Sequence, residues 1–362
     1  MYNEEELAIF FFCSFDKISN KKLSLIFGLN EDICYIKNHL VEYKDELVSI
    51  LGHEIYLQIK MSNTEYYLNK LLLNLDKAGA KFTTYKSNDY IKQLLDIEDF
   101  PMILYYKGDL SIAYNKCIGI VGTRKPTRYG VIVTKQFAKD LVVGKCTIIS
   151  GGARGVDSIA LREALDNNSS PIIVLGCGVN VVYPPENKNL FKETIEKGGL
   201  ILSEYPLNTP PNSYNFPLRN RIISGISIGI LITEAGLKSG TMITAGYALD
   251  QNKEIFLVPG NINSLTSSGT NNMLKDGYGN LVTEPNDILG HYKINLVEKE
   301  EAPVQLDFNE ATIIELIRKE GEAHFEQILQ VVDLKLNDLN NLLFEMQMKG
   351  LIVKLPGNYY GV

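Results

Sequence analysis

The strongest constraint on this chain is a stretch between residues 117 and 258 in which short apolar runs alternate with helix-periodic segments. The runs are Cys117–Gly122, Cys146–Ser150, Pro171–Leu175, Leu200–Ser203, Ile228–Thr233 and Glu254–Val258. Between them, Tyr129–Val142, Val156–Leu165, Asn187–Lys197 and Met242–Asp250 place apolar residues at helical spacing. A strand that is apolar on both faces has to be covered on both, and a parallel sheet wrapped by crossover helices does this. The expected fold class is therefore α/β with a parallel sheet core. In such sheets ligands bind beyond the carboxyl ends of the strands, so the loops after the runs are where function is sought.

The flanks read differently. Residues 1–60 suggest a small helical domain with helices at Glu5–Cys13, Lys21–Phe27 and Glu31–His39. Residues 61–116 join it to the sheet through short strands near Lys81–Tyr85 and Ile103–Lys107, so the core domain is expected over 61–292. Glu298, Lys299, Glu300, Glu301 and Pro303 give residues 293–305 the composition of an exposed linker. Beyond it, helices at Asn309–Glu320, Phe325–Val332 and Leu336–Gly350 precede a hairpin turning at Pro356-Gly357-Asn358. That order suggests a winged-helix-like domain over 306–362.

Composition excludes several function classes. No apolar run reaches the roughly 20 residues of a membrane-spanning helix. Leu7–Cys13 follows Glu4-Glu5-Glu6, the wrong charge for a secretory signal, so a cytoplasmic location is expected and no membrane partner. The five cysteines are scattered without a C-x-x-C pair and read as free thiols. Four histidines at unrelated spacings offer neither a metal site nor a catalytic triad. No metal, cofactor or catalytic residue is expected.

The net charge of −7 argues against a nucleic-acid partner until it is divided by segment. Residues 118–292 hold 16 Lys and Arg against 14 Asp and Glu, whereas 304–362 hold 5 against 9. The arginines are more telling. Only seven of the 36 basic residues are Arg, yet six of these (Arg124, Arg128, Arg154, Arg162, Arg219, Arg221) fall in the middle segment. A planar guanidinium grips phosphate with two donors or stacks on a ring, which Lys cannot do. Arg128 and Arg162 read as solvated helix residues, and Arg124, Arg219 and Arg221 as functional ones.

The strand ends carry the motifs. The first runs into Gly122-Thr123-Arg124-Lys125-Pro126 and the second into Ser150-Gly151-Gly152-Ala153-Arg154-Gly155, each followed by a helix. Neither has the G-x-G-x-x-G spacing of a dinucleotide site, and no G-K-S or G-K-T marks a P-loop. Two glycine turns on adjacent strands, with an arginine in each, still suit a phosphate-bearing ligand. Later strands lead to Asn215-Phe216-Pro217-Leu218-Arg219-Asn220-Arg221, read as a loop, and to Lys238-Ser239-Gly240-Thr241. Asp157 reads as a helix-capping or dipole partner, and Tyr183-Pro184-Pro185-Glu186-Asn187 as a structural loop.

Over about residues 100–290 these strings, in this order, resemble the DNA-processing A (DprA/Smf) family. The resemblance implies an extended Rossmann-like fold that binds and protects single-stranded DNA, helps load the RecA recombinase during natural transformation, and works as a homodimer. It also implies that Gly122, Thr123, Arg124, Gly151, Gly152, Arg154, Phe216, Arg219, Asn220, Arg221, Lys238, Ser239, Gly240 and Thr241 line the DNA groove. Arg and backbone N–H groups would hold phosphates and an aromatic ring would stack on a base, contacts that read no sequence. The chain departs from the family pattern at Leu161, where a histidine is common, and at Tyr278, where a small residue is usual.

Two other functions fit parts of the sequence. A phosphoribohydrolase-type enzyme also uses a Gly-Thr turn, but its P-G-G-x-G-T-x-x-E motif is incomplete here, with Thr244 in place of the glutamate. Glu204 and Glu234 remain as carboxylates for such chemistry. A duplex-binding regulator would use Leu336–Gly350 as recognition helix, but Asp338 and Glu345 set it against phosphate.

Overall fold

The computed structural model describes residues 2–15, 17–294, 306–348 and 351–361. Most of the expected linker, 295–305, lies outside them. The chain divides into two compact units, Met1–Val297 and Glu298–Val362.

The first unit opens with six helices, α1 (Glu4–Cys13), α2 (Asn20–Phe27), α3 (Ile33–Asn38), α4 (Lys44–Leu51), α5 (His53–Ser62) and α6 (Glu65–Lys77). Local chemistry sets several of their starts. Asn3 and Glu6 form a reciprocal capping box on α1, while Ser19 and Thr64 cap α2 and α6. Then follow β1 (Lys81–Thr84), β2 (Ile103–Gly108), β3 (Cys117–Val121), α7 (Arg128–Val143), β4 (Thr147–Ser150), α8 (Val156–Asp166), β5 (Ile172–Leu175), α9 (Lys188–Glu196) and β6 (Leu200–Ser203). After these come α10 (Asn215–Ile226), β7 (Gly229–Ile232), α11 (Gly240–Asp250), β8 (Glu254–Leu257), α12 (Ser268–Lys275), β9 (Asn280–Leu281) and α13 (Pro285–His291).

The strands form one nine-stranded sheet in the order β1-β2-β6-β5-β4-β3-β7-β8-β9. It is parallel from β6 to β9, and β2 joins β6 and β1 in antiparallel fashion. This is the mixed α/β architecture expected, with antiparallel strands added at one edge. The chain winds from β3 outward to β6, then returns to β7 on the other side of β3. That reversal opens a crevice beyond the carboxyl ends of β3 and β7, where ligands bind in doubly wound sheets.

Alternation along β5 shows how both faces are covered. Ile172 and Val174 enter the core with Ile222, Ile223 and Ile226 of α10, whereas Ile173 and Leu175 pack with Leu161 and Leu165 of α8. The latter core is continuous with the N-terminal helices. Phe10 of α1 stacks on Phe82 of β1 at 4.4 Å, and Phe11, Phe12 and Ile26 are fully buried. The helices before residue 60 therefore share their apolar core with the sheet. α6 also occupies part of the expected joining region.

The second unit consists of α14 (Phe308–Glu320), β10 (Ala323–His324), α15 (Phe325–Val331), α16 (Leu336–Met348), β11 (Val353–Leu355) and β12 (Tyr359–Gly361). Its strands pair antiparallel in the order β10-β12-β11. Ile313, Ile317, Ile328, Leu339, Leu343 and Tyr360 form its own core.

Candidate nucleic-acid interface

The β3 turn is held from both sides. Thr123 donates its backbone N–H to the Glu234 carbonyl at 2.8 Å, and its carbonyl accepts from Val156 at 3.2 Å. A Cβ on Gly122 would lie 2.6 Å from Val156 Cγ2 and 2.9 Å from the Glu234 carbonyl oxygen, so only glycine lets these segments close. The turn leaves Arg124 exposed. At the next turn, a Cβ on Gly151 would collide with the Arg219 guanidinium and come 2.8 Å from Asp157 Oδ2.

Residues 215–221, read from sequence as a loop, are the start of α10, and that reading is corrected. Pro217 falls in the first turn, where a missing N–H costs no intrahelical bond. A helix turns by about 100° per residue, so Arg219 and Arg221 point to opposite sides. Arg219 is 4% exposed; it donates to the carbonyls of Gly151 (2.9 Å) and Val174, and to Asn220 Oδ1 at 3.1 Å. Arg221 is 3% exposed and grips Glu204 with two bonds of 2.7 and 2.8 Å, while its Nε donates to the Asp99 carbonyl at 2.9 Å. The placement of Arg221 in the groove is therefore corrected. Its fork is consumed by a partly buried carboxylate on the other face of the helix.

A cleft of about 250 Å³ lies between these elements. Of the expected residues, Gly122, Arg124, Phe216, Arg219, Asn220, Ser239, Gly240 and Thr241 line it. Gly151 and Arg154 line a small hollow that shares Arg124, Ala153, Phe216 and Arg219 with the cleft. Thr123 and Gly152 belong to the two turns without lining either space, and Lys238 is exposed just ahead of α11. Arg154 is exposed and paired with Glu186, its Nη2 3.1 Å from Oε2.

Helix ends and ring stacking give the cleft its chemistry. The first turns of α8, α10 and α11 all contribute lining residues, so three positive dipole ends meet there. Ser239 caps α11, its hydroxyl accepting from the Thr241 N–H at 3.2 Å. At the rim, the Arg124 guanidinium lies 5.9 Å from the centre of the Phe216 ring, and Phe216 stacks on Tyr183 at 5.4 Å. Tyr183, read as structural, and Asp157, read as a cap, are the neighbours that sequence reasoning missed. Residues 33 apart in the chain carry no local signal that their rings will meet.

Asp157 is 7% exposed and accepts from the Ala153 N–H at 3.4 Å. Burial pushes its carboxyl above the ordinary range, against the opposing pull of Arg219 and backbone N–H groups. Burial in turn lowers the Arg219 guanidinium, with Asp157 opposing. The two remaining candidate carboxylates are occupied. Glu204 holds Arg221, and the buried Glu234 accepts from the Thr127 N–H and hydroxyl, both at 2.8 Å, and from the Thr266 hydroxyl at 2.9 Å. Among the described residues, no group of three or more His, Cys, Asp or Glu could hold a metal ion, and no helix is long and apolar enough to cross a membrane.

Residues 81–293 match the family model described as DNA recombination-mediator protein A. The chain belongs to that family. Protein Smf of Escherichia coli strain K12 is 35% identical over 281 residues, covering 75% of each chain. DNA processing protein DprA of Streptococcus pneumoniae is 34% identical over 61% of this chain and 78% of the relative. The X-ray structure of the Streptococcus pneumoniae DprA superimposes with a TM-score of 0.67 at 26% identity, over 78% of this chain and 97% of that one. DNA processing protein A of Helicobacter pylori, whose structure was described for its single-stranded-DNA binding mode, gives 0.54 at 31% identity, over 60% and 97%. Leu161, where the resemblance raised the expectation of a histidine, is fully buried, and Tyr278, where it raised that of a small residue, is exposed.

Proposed function

We propose that this protein binds single-stranded DNA in the cleft beyond β3 and β7 and acts in DNA processing during transformation, protecting the strand and assisting loading of the RecA recombinase. The observation that carries the reading is the stack at the rim, where Arg124 lies over Phe216 and Phe216 over Tyr183. It sets a cation and an aromatic platform beside three helix N-termini, a combination suited to a phosphate and an unpaired base. The family membership and the named binding mode of the Helicobacter pylori relative support it. RecA and a second copy of this chain as homodimer partner are proposed from the family resemblance, and a cytoplasmic location from the sequence. The unit from residue 306 onward, winged-helix-like in its element order, is read as a protein-contact surface because its acidic excess disfavours phosphate.

Binding is the proposed role, without catalysis. Asp157 is the observation that favours a hydrolase reading, being a carboxyl of altered affinity in a cleft. Release of free base from a nucleoside monophosphate, lost in Asp157→Asn, would establish that reading instead. The direct test is a titration against single- and double-stranded DNA of equal length at several salt concentrations. Single strands should bind more tightly, without sequence preference and with a steep loss on adding salt. A flat salt profile or a preference for duplex would overturn the proposal.

A further inference from the structure

The cleft is too small for the strand it is proposed to hold. It measures about 250 Å³, whereas single-strand binding modules engage roughly 4–16 nucleotides. A bound strand must therefore run on over neighbouring surface.

Two larger hollows adjoin. One, of about 610 Å³, is lined by Thr127, Tyr129, Glu234 and the 259–267 loop, and among the described residues no Lys or Arg lines it. The other, of about 590 Å³, lies across the first turns of α10. Segment 213–221 is a shared wall: Ser213, Phe216 and Arg219 face the cleft, and Tyr214, Leu218 and Arg221 face the hollow. Lys17 and Lys21 stand on its opposite side, at the start of α2.

Among the described residues, the carboxylates that line this second hollow are already engaged. Glu204 is held by Arg221, and Asp99 accepts from Asn20 Nδ2 at 2.7 Å with Arg221 Nε 3.6 Å away. Both lysines are exposed. Among the described residues, Lys17 makes a loose contact of 3.8 Å with the exposed Glu54, a pairing that a phosphate can displace. Tyr214, on the ridge between the two spaces, is 67% exposed, and Asn212 Nδ2 donates to its hydroxyl at 3.3 Å.

We infer that single-stranded DNA leaving the cleft crosses Tyr214, which stacks under a base, and enters the hollow between α2 and α10, where Lys17 and Lys21 hold phosphates. This rests on the reading of the cleft as a single-strand site. The N-terminal helices then form one wall of the DNA track.

The test uses the full chain and oligothymidylates of about 5 and about 20 nucleotides, on either side of most of that range. The parent should bind the longer strand more tightly. Lys17→Gln with Lys21→Gln should weaken binding of the longer strand roughly tenfold at low salt and leave the shorter unchanged. Its log–log salt slope should fall by about 1.4, two phosphates at about 0.7 each. Tyr214→Ala should weaken only the longer strand without altering the slope, and Tyr214→Trp should restore it. If the double variant matches the parent on both strands, or weakens both equally, the extension is wrong while the cleft reading stands. A parent that binds neither strand overturns the cleft reading and this inference together.

Discussion

Arg219 and Arg221 stand two residues apart on α10 and serve opposite sides of it, the first at the base of the cleft and the second locked to the partly buried carboxylate of Glu204. Sequence spacing makes them look like one double grip on phosphate. The helical turn separates their work.

Arg221→Ala should therefore lower stability far more than it lowers the intrinsic affinity of the folded protein for DNA. Removing Arg221, the buried partner, leaves the partly buried Glu204 charge uncompensated, at a cost approaching the ~3–5 kcal/mol of a fully buried pair. Chemical denaturation checks this. A loss below about 1 kcal/mol, as for an exposed pair, would show that Glu204 finds another partner.

Arg124→Ala should behave in the opposite way. The side chain is exposed and touches the cleft through its position over Phe216, so the melting temperature should stay close to the parent's. Single-strand affinity should fall, and the salt slope should drop by about 0.7 for the one lost phosphate. If the variant unfolds, Arg124 is a brace for the turn and not a ligand contact.

Phe216 tests stacking against space-filling. Phe216→Ala should cost about 1–3 kcal/mol of binding, the range for one base on one ring. Phe216→Tyr should keep most of the affinity and Phe216→Leu should not, with the salt slope unchanged in all three. If Leu serves as well as Tyr, the ring only fills the gap beside Tyr183 and positions Arg124.

Asp157 should leave a signature in the pH dependence of stability. Its ordinary value is 3.8, and burial raises it in the folded state. The folded protein then holds this proton more tightly than the unfolded chain does. The group's contribution is fully present below pH 3.8 and is lost as pH rises through the raised folded value. Asp157→Asn removes that slope, so its stability relative to the parent should increase from acid toward neutral pH in a denaturation series. A difference that stays constant with pH would refute this.

The sequence by itself determined the α/β class, the succession of the core strands along the chain and the turns in which Gly122 and Gly151 sit. Apolar periodicity and glycine placement are local, and burial on both faces follows from them. It also marked Arg124, because Arg is rare in this Lys-rich chain, and Phe216 through the family resemblance. Only the tertiary structure decided that Arg221 is spent on Glu204, that Tyr183 backs Phe216, and that Asp157 lies buried beside Arg219. Each of these depends on a partner at least 17 residues away in the chain, reached by folding across the sheet. The helix at Asn215 was hidden for a different reason. Pro217 reads as a loop marker in isolation, and only a first-turn position makes it compatible with a helix.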